Sequence, residues 1–171
     1  DAATLRVLPA GDSNTAGVGN PAWPADGSGL PPAQWIGYRK KLKELLAASG
    51  VTIDYVGSQS AGSAYFADPE HEGYPGLGID MIQTRVSQGM IEAYAPDIVL
   101  LLVGSNDMWT PARTAVTDAR AQEMVAKLAG LVDNMAARRP GMAIILAKPP
   151  TPANAARPLG IYRAGIDQIV A

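Results

Sequence analysis

The sequence predicts an α/β domain of three layers, with a parallel sheet between helices on both faces. Two observations indicate this fold. Short apolar segments alternate with amphipathic segments in the order β-α-β-α-β-α-β-α, which is typical of a parallel sheet with helical crossovers. The apolar run 98–103 has no polar interruption, as expected of a strand covered on both faces. A chain of 171 residues, 47% of them hydrophobic, suffices for one domain with a core.

The predicted elements follow from hydrophobic periodicity and from glycine and proline positions. Strands are predicted at residues 5–9, 51–56, 97–103 and 142–147, and helices at residues 34–48, 79–94, 117–138 and 159–171. The segments 17–32 and 57–78 are rich in glycine and polar residues, and we predict long loops there. The basic residues of the first helix, Arg39, Lys40, Lys41 and Lys43, are predicted to face solvent.

Composition excludes several classes of protein. The net charge of −2 gives no reason to expect a nucleic-acid partner. The apolar run 98–103 is far shorter than the roughly 20 residues that a membrane-spanning helix needs, so no membrane partner is expected. The chain contains no cysteine, hence no disulfide and no thiol nucleophile. It begins with Asp1, which fits a secreted or periplasmic protein after processing as well as a shortened chain. The oligomeric state stays open.

Residues suited to acyl transfer follow three of the predicted strands. In parallel sheets the active crevice lies beyond the carboxyl ends of the strands, which here carry Ser13, Gly57 and Asn106. Ser13 is a candidate nucleophile. Its N–H, the Gly57 N–H and the Asn106 amide are candidate donors to the oxyanion that forms on an ester carbonyl. We expect position 57 to be glycine so that the backbone can approach the substrate closely. Each residue alone more often marks a turn, but their joint placement favours a site.

These residues lie in segments that resemble a known family. The segments Gly11-Asp12-Ser13-Asn14-Thr15, Gly57 and Gly104-Ser105-Asn106-Asp107 are similar, in order, to the first three sequence blocks of the SGNH (GDSL-like) hydrolase superfamily. The resemblance extends from about residue 5 to residue 171 and implies an SGNH-hydrolase or flavodoxin-like fold. It also implies that Ser13 is the nucleophile and that Ser13, Gly57 and Asn106 form the oxyanion hole.

A second resemblance is narrower. Residues 56–58 and 68–76 are similar to the third carbohydrate-esterase family, which includes acetylxylan esterases. It implies a serine esterase that removes short acyl groups, above all acetyl, from small molecules or plant-wall polysaccharide, with no cofactor. Two alternatives stay open. One is a noncatalytic carbohydrate-binding or interaction module on the same scaffold, and the other is a general arylesterase or lipase.

The fourth block of the superfamily, Asp-x-x-His, is not found in this sequence. In the family its histidine is the general base and its aspartate orients that histidine. We therefore expect a single domain, residues 1–171, that is C-terminally incomplete and lacks its last strand and helix, with a natural pseudoenzyme as the alternative. His71 is the one histidine of the chain. It could be the base, although bracing of the turn at 71–73 is the favoured explanation.

Further candidates lie in loops near the predicted crevice. Trp23, Tyr74 and Trp109 could stack on sugar rings or could pack the loops. Asp12 could contact substrate, although capping of the following helix is favoured. Asp107 is expected to order the turn at Asn106.

An acidic cluster forms the last candidate. Asp68, Glu70 and Glu72 surround the single histidine in sequence and could bind a cation. Ester hydrolysis by a serine nucleophile does not require a metal, and none is expected.

Overall fold

The computed structural model describes residues 3–18, 30–109, 116–150 and 157–170. The strands are β1 (Leu5–Gly11), β2 (Ile53–Tyr55), β3 (Gln59–Ser60), β4 (Glu70–Gly73), β5 (Ile98–Leu102) and β6 (Ala143–Leu146). The helices are α1 (Ser13–Ala16), α2 (Arg39–Ala48), α3 (Ile79–Ser87), α4 (Met90–Tyr94), α5 (Asp118–Arg138) and α6 (Arg157–Ile169). Short 3-10 turns lie at Pro32–Gln34 and Asn106–Met108. No helix in these ranges has the length and apolar character needed to cross a membrane.

Strand β1 is central in the sheet. On one side it pairs in parallel with β5, which pairs in parallel with β6. On the other side, β2 runs parallel to residues 5–7 of β1, and β4 runs parallel to residues 10–11. The predicted sheet is therefore confirmed for its main strands. It is mixed rather than wholly parallel, because β3 pairs with β4 in antiparallel fashion.

Three element predictions need correction. The predicted loop 57–78 contains β3 and β4, and the predicted helix 79–94 is divided into α3 and α4 at Gly89, which has a φ of 88°. Helix α2 starts at residue 39, not at 34. Strand β4 escaped prediction because its sequence, Glu-His-Glu-Gly, is polar although three of its four residues are buried. Hydrophobic periodicity cannot detect a buried polar strand.

The core lies on both faces of the sheet, but unequally. Helices α3, α4, α5 and α6 cover one face with an extensive cluster of buried residues that includes Leu8, Val99 and Leu101 of the sheet. Helix α2 covers part of the other face, over a small cluster of Val7, Ile53 and Tyr55. The odd and even residues of β1 thus point to opposite layers, which is the alternation expected of a strand buried on both faces. The three-layer α/β/α prediction is confirmed.

Arg39 is a further correction, because it is fully buried and does not face solvent. Its guanidinium donates five hydrogen bonds of 2.7–3.1 Å, all to backbone carbonyl oxygens. The acceptors are Thr15, Ala16, Trp35, Ala61 and Pro69. One side chain therefore joins α1 to α2 and to the segment that leads into β4.

Candidate active site

The turn that carries Ser13 is fixed by its neighbours. Asp12 accepts hydrogen bonds at 2.9 Å from both the backbone N–H and the side-chain amide of Asn14, and its own N–H donates to Leu102 O at 3.3 Å. Ser13 is the half-buried first residue of α1. Within the described ranges, neither its N–H nor its hydroxyl makes a hydrogen bond. Both groups are thus available at the carboxyl end of β1.

Asp12 is the cap of α1. Its carboxylate is fully buried, and one of its oxygens, Oδ2, has no hydrogen-bond partner among the residues that the structure describes. The structure therefore supports the capping role, and the substrate contact of Asp12 stays a prediction.

Gly57 follows β2, and the residues on both sides of it are held by backbone N–H hydrogen bonds. The Val56 N–H donates to Val7 O at 3.0 Å, and the Ser58 N–H donates to Glu72 Oε1 at 2.7 Å. The N–H of Gly57 itself donates to no acceptor within the described part of the chain. This is the state that a candidate oxyanion donor requires before substrate binds.

The reason for glycine at position 57 differs from the expected one. A Cβ at this position would lie 2.3 Å from the carbonyl carbon of His71 and 2.4 Å from its oxygen. The close approach that excludes a side chain is therefore to the backbone of β4. The expected access for substrate is not what decides the residue type.

The third loop is held against the N-terminus of α3. The side-chain amide of Asn106 donates to Leu77 O at 2.9 Å, which uses one of its two N–H groups. Asp107 accepts the Ile79 N–H at 3.2 and 3.3 Å, and so caps α3 across the loop. Burial raises the pKa of Asp107. Asp107 thus supports the structure by capping α3. Its predicted ordering of the Asn106 turn stays a prediction.

Contacts at the carboxyl ends of the strands bring these loops together. The Asn14 side chain donates to Ser105 Oγ at 3.3 Å and joins the Ser13 turn to the Asn106 loop. Gly11 pairs with Leu102 on one side and with Gly73 on the other. Because β4 also lies against Gly57, the three predicted segments converge on the end of β1.

A small cavity adjoins the Ser13 turn. It measures about 170 Å³ and is lined by Asn14, Ser105, Trp109, Pro150 and Leu159. The half-buried Trp109 is thus close to the candidate site. Its predicted contact with substrate stays a prediction.

The two other aromatic candidates are Tyr74 and Trp23. Tyr74 is half-buried, and its hydroxyl donates to Glu72 Oε2 at 2.5 Å. Its ring is therefore held in place by a polar contact, and stacking on sugar stays a prediction. Trp23 lies outside the described residues.

His71 has the properties of a bracing residue. It is 2% exposed, and its Nδ1 accepts the Gly73 N–H at 2.8 Å. The proton is therefore assigned to Nε2, which is buried and has no partner among the described residues. Burial, followed by the charge of Arg39, lowers the pKa of His71 to about 3. A buried imidazole of such low basicity is poorly suited to accept a proton from Ser13, so the hypothesis of His71 as base is not supported.

The acidic cluster does not form a cation site. Asp68 is paired with Lys43 and accepts the Tyr55 N–H at 2.8 Å. Glu72 is paired with Arg85. Among the residues described, no group of three or more acidic or histidine side chains is placed to hold a metal ion.

Sequence reasoning missed two residues of this region. Arg39 lies four residues after Trp35 and three before Leu42, on the apolar face of its helix and not on the predicted solvent face. That spacing was a usable signal. No hydrophobic periodicity distinguishes the buried carboxylate of Glu72 from those of the half-buried Asp68 and Glu70.

Comparison with known proteins gives the family of this chain. Residues 10–171 match the model of the GDSL-like Lipase/Acylhydrolase family, and the chain belongs to that family. This membership confirms the predicted resemblance to the GDSL-like hydrolases. A curated relative, the multidomain esterase of Ruminococcus flavefaciens, is 30% identical over 63% of this chain. The chain spans only 15% of the length of that relative.

Solved structures confirm the fold. The family 3 carbohydrate esterase of Clostridium thermocellum superposes with a TM-score of 0.73 at 26% identity, over 98% of this chain and 71% of that one. A carbohydrate esterase family 3 protein of Talaromyces cellulolyticus gives 0.71 at 20% identity, over 98% and 72%. An acetylxylan esterase of Geobacillus stearothermophilus gives 0.63 at 21% identity, over 97% and 71%. The last two likenesses show the fold alone.

Proposed function

We propose that this protein is a serine esterase that removes acetyl groups from plant-wall polysaccharide through an acyl-enzyme on Ser13. The observation that carries the proposal is the state of two backbone donors. The N–H groups of Ser13 and Gly57 donate to no described acceptor, whereas the N–H groups of Asp12, Asn14, Val56 and Ser58 all do. Donors left free between bonded neighbours are suited to stabilise an oxyanion.

The reaction assigns a task to each group. Ser13 Oγ attacks the ester carbonyl carbon, and the carbonyl oxygen becomes an oxyanion that accepts from the two N–H groups and from the Asn106 amide. The tetrahedral intermediate collapses, the C–O bond to the alcohol breaks, and the alcohol leaves with a proton. Water then attacks the acyl-enzyme, releasing acetate and restoring the Ser13 hydroxyl.

The proton of the Ser13 hydroxyl needs a base. We propose that it passes to a histidine outside these 171 residues, because His71, the single histidine in them, is buried and engaged. An adjacent imidazole is the usual means of activating a serine.

The choice of substrate rests on size and on relatives. The cavity of about 170 Å³ beside Asn14 and Ser105 fits a short acyl group better than a long one. A similar structure, 26% identical to this chain, is a family 3 carbohydrate esterase. A polysaccharide substrate requires action outside the cytoplasm, so the proposal includes a secreted or periplasmic protein.

The test is release of acetate from acetylated xylan and from p-nitrophenyl acetate. Ser13→Ala should lower turnover by at least about a thousandfold, because it removes the nucleophile. Ser60→Ala, which changes an exposed serine of β3, should leave turnover unchanged. Retention of a tenth of the activity in Ser13→Ala would refute the mechanism. Equal rates on acetyl and long-chain acyl esters would favour a general arylesterase or lipase.

One observation favours a second candidate, a noncatalytic carbohydrate-binding module. The Ser13 hydroxyl makes no hydrogen bond to any described residue that could act as its base. A protein that binds acetylated xylan without releasing acetate would support this candidate over the esterase.

A further inference from the structure

Glu72 is a buried carboxylate next to the candidate oxyanion hole. It belongs to β4 and is fully buried. A buried charge is tolerated only when it is paired and hydrogen-bonded. Its partners therefore indicate what this residue does.

The partners of Glu72 converge from two sides. Oε1 accepts the Ser58 N–H at 2.7 Å. Oε2 accepts the Tyr74 hydroxyl at 2.5 Å and Arg85 Nε at 3.1 Å. Arg85 also donates to Ser58 Oγ at 3.3 Å. The carboxylate is thus held from α3 and β4, and it holds the residue that follows Gly57.

This arrangement determines where the Gly57 N–H points. The Tyr55–Val56 peptide is tied to β1 through the Val56 N–H, and the Gly57–Ser58 peptide is tied to Glu72 through the Ser58 N–H. The peptide between them carries the Gly57 N–H. Glycine at this position lacks the steric limits of other residues. Without the bond to Glu72, the next backbone tie after Gly57 would be the pairing of Gln59 with His71, two residues further along.

We infer that Glu72, held by Arg85, is a positioning residue that keeps the Gly57 N–H directed at the reacting carbonyl. The inference rests on the proposed function, because it assumes that this N–H binds the oxyanion. The positive charge of Arg85 balances the negative charge of Glu72, so the pair adds no net charge beside the oxyanion. Glu72 thus acts through geometry.

Glu72→Gln tests the inference with a near-isosteric change. An amide cannot accept from Ser58, Tyr74 and Arg85 with both of its ends, so the turn loses part of its support. We expect kcat to fall by about tenfold or more and KM to change by less than about twofold, since the contact matters mainly in the transition state. If charge rather than position mattered, the unpaired Arg85 would stabilise the oxyanion and kcat would rise.

Asp68→Asn is the matched control. Asp68 likewise pairs with a cation, Lys43, and likewise accepts a backbone N–H, that of Tyr55. It supports the same end of β2 but does not contact Ser58. We expect kcat within about twofold of the parent, because the Gly57 turn keeps its own acceptor. An equal fall of kcat in both variants would show general loosening and overturn the inference.

A binding measurement separates this inference from the function on which it rests. A small alkylboronic acid forms a tetrahedral adduct with a serine hydroxyl, whereas acetate mimics the product. Glu72→Gln should lower the affinity for the boronic acid by about tenfold and the affinity for acetate by less than about twofold. If Ser13→Ala retains turnover, the proposed function fails. If Ser13→Ala abolishes turnover while Glu72→Gln keeps its kcat and its affinity for the boronic acid, only the positioning role fails.

Arg85→Gln provides a second route if Glu72→Gln folds poorly. Arg85 is partly exposed, so its replacement disturbs the core less. It should change kcat and boronic acid affinity in the same direction as Glu72→Gln, and by a smaller factor. An unchanged kcat in a folded Arg85→Gln would contradict the role given to the pair.

Discussion

Arg39 and Glu72 are both fully buried charges, but they hold different regions of the molecule. Arg39 donates to five backbone carbonyls from four separate segments, so it joins parts of the chain that are distant in sequence. Glu72 accepts from one backbone N–H and two side chains around a single turn. Arg39 therefore stabilises the fold, whereas Glu72 stabilises the geometry of one turn.

The two charges also differ in how their ionisation is supported. Burial lowers the pKa of Arg39, although nearby tyrosines and acids oppose this shift. Its guanidinium donates hydrogen bonds to neutral carbonyls. Burial would raise the pKa of Glu72, but hydrogen bonds from Arg85, Tyr74 and Ser58 outweigh it and the pKa is lowered. A buried ion can therefore stabilise a whole fold or a local turn, depending on which protein groups solvate it in place of water.

The largest effect is expected for Arg39→Met. Methionine fills much of the volume but removes all five hydrogen bonds. Of the five carbonyl oxygens, that of Pro69 still accepts the Ala61 N–H, at 3.2 Å. We expect the free energy of unfolding to fall by about 3–5 kcal/mol, as when one partner of a buried charged network is removed. Urea unfolding followed by circular dichroism would measure it.

Lys41→Met is the control for this substitution. Lys41 lies on the same helix, but its side chain is 72% exposed. Its replacement should change the free energy of unfolding by less than about 0.5 kcal/mol. Similar losses in the two variants would mean that the five hydrogen bonds of Arg39 contribute little.

A smaller effect concerns His71, which lies between the two regions. Its pKa of about 3 in the folded protein is below its ordinary value of 6.5, so the unfolded chain takes up a proton first as pH falls. Stability is therefore present above pH 6.5 and lost as pH falls towards 3. Between pH 7 and pH 5 this residue should remove about 2 kcal/mol from the free energy of unfolding.

The measurement is urea unfolding of the parent and of His71→Gln at both pH values. Glutamine does not titrate and can still accept the Gly73 N–H. The variant should lose about 2 kcal/mol less than the parent over this interval. The same pH dependence in both proteins would show that the imidazole is not kept neutral by burial.

The smallest effect is expected for Tyr74→Phe. This change removes one of the three donors to Glu72 and keeps the aromatic ring. We expect a loss of about 1 kcal/mol in the free energy of unfolding, because Arg85 and Ser58 still satisfy the carboxylate. Binding of xylan oligosaccharides should be unchanged if the ring stacks on sugar. Weaker binding would assign the hydroxyl, not the ring, to the substrate.

The sequence predicted the sheet but not every strand. The apolar run that became β5 could be recognised, because a strand buried on both faces needs hydrophobic residues throughout. Strand β4 could not be recognised, because its buried side chains are those of His71 and Glu72. Burial of such polar groups depends on partners that are distant in sequence. For the same reason, the pairing of Glu72 with Arg85 is visible only in three dimensions.

The candidate site was predicted in position but not in detail. Ser13, Gly57 and Asn106 lie at strand ends, where the topology of a parallel sheet places active residues. The contact of Asn14 with Ser105, which joins two of these loops, could not be predicted, because it depends on side-chain orientation. The status of His71 also required the structure, since its sequence neighbours give no measure of burial.

The closeness of Gly57 to the His71 backbone has a consequence for how this protein can be altered. Any other amino acid at position 57 would collide with the main chain of β4, which no change of rotamer can relieve. If position 57 is randomised in a library, the folded variants should all contain glycine there. The size of a side chain can be changed more freely in the cavity beside the Ser13 turn, where Trp109 and Leu159 are among the lining residues.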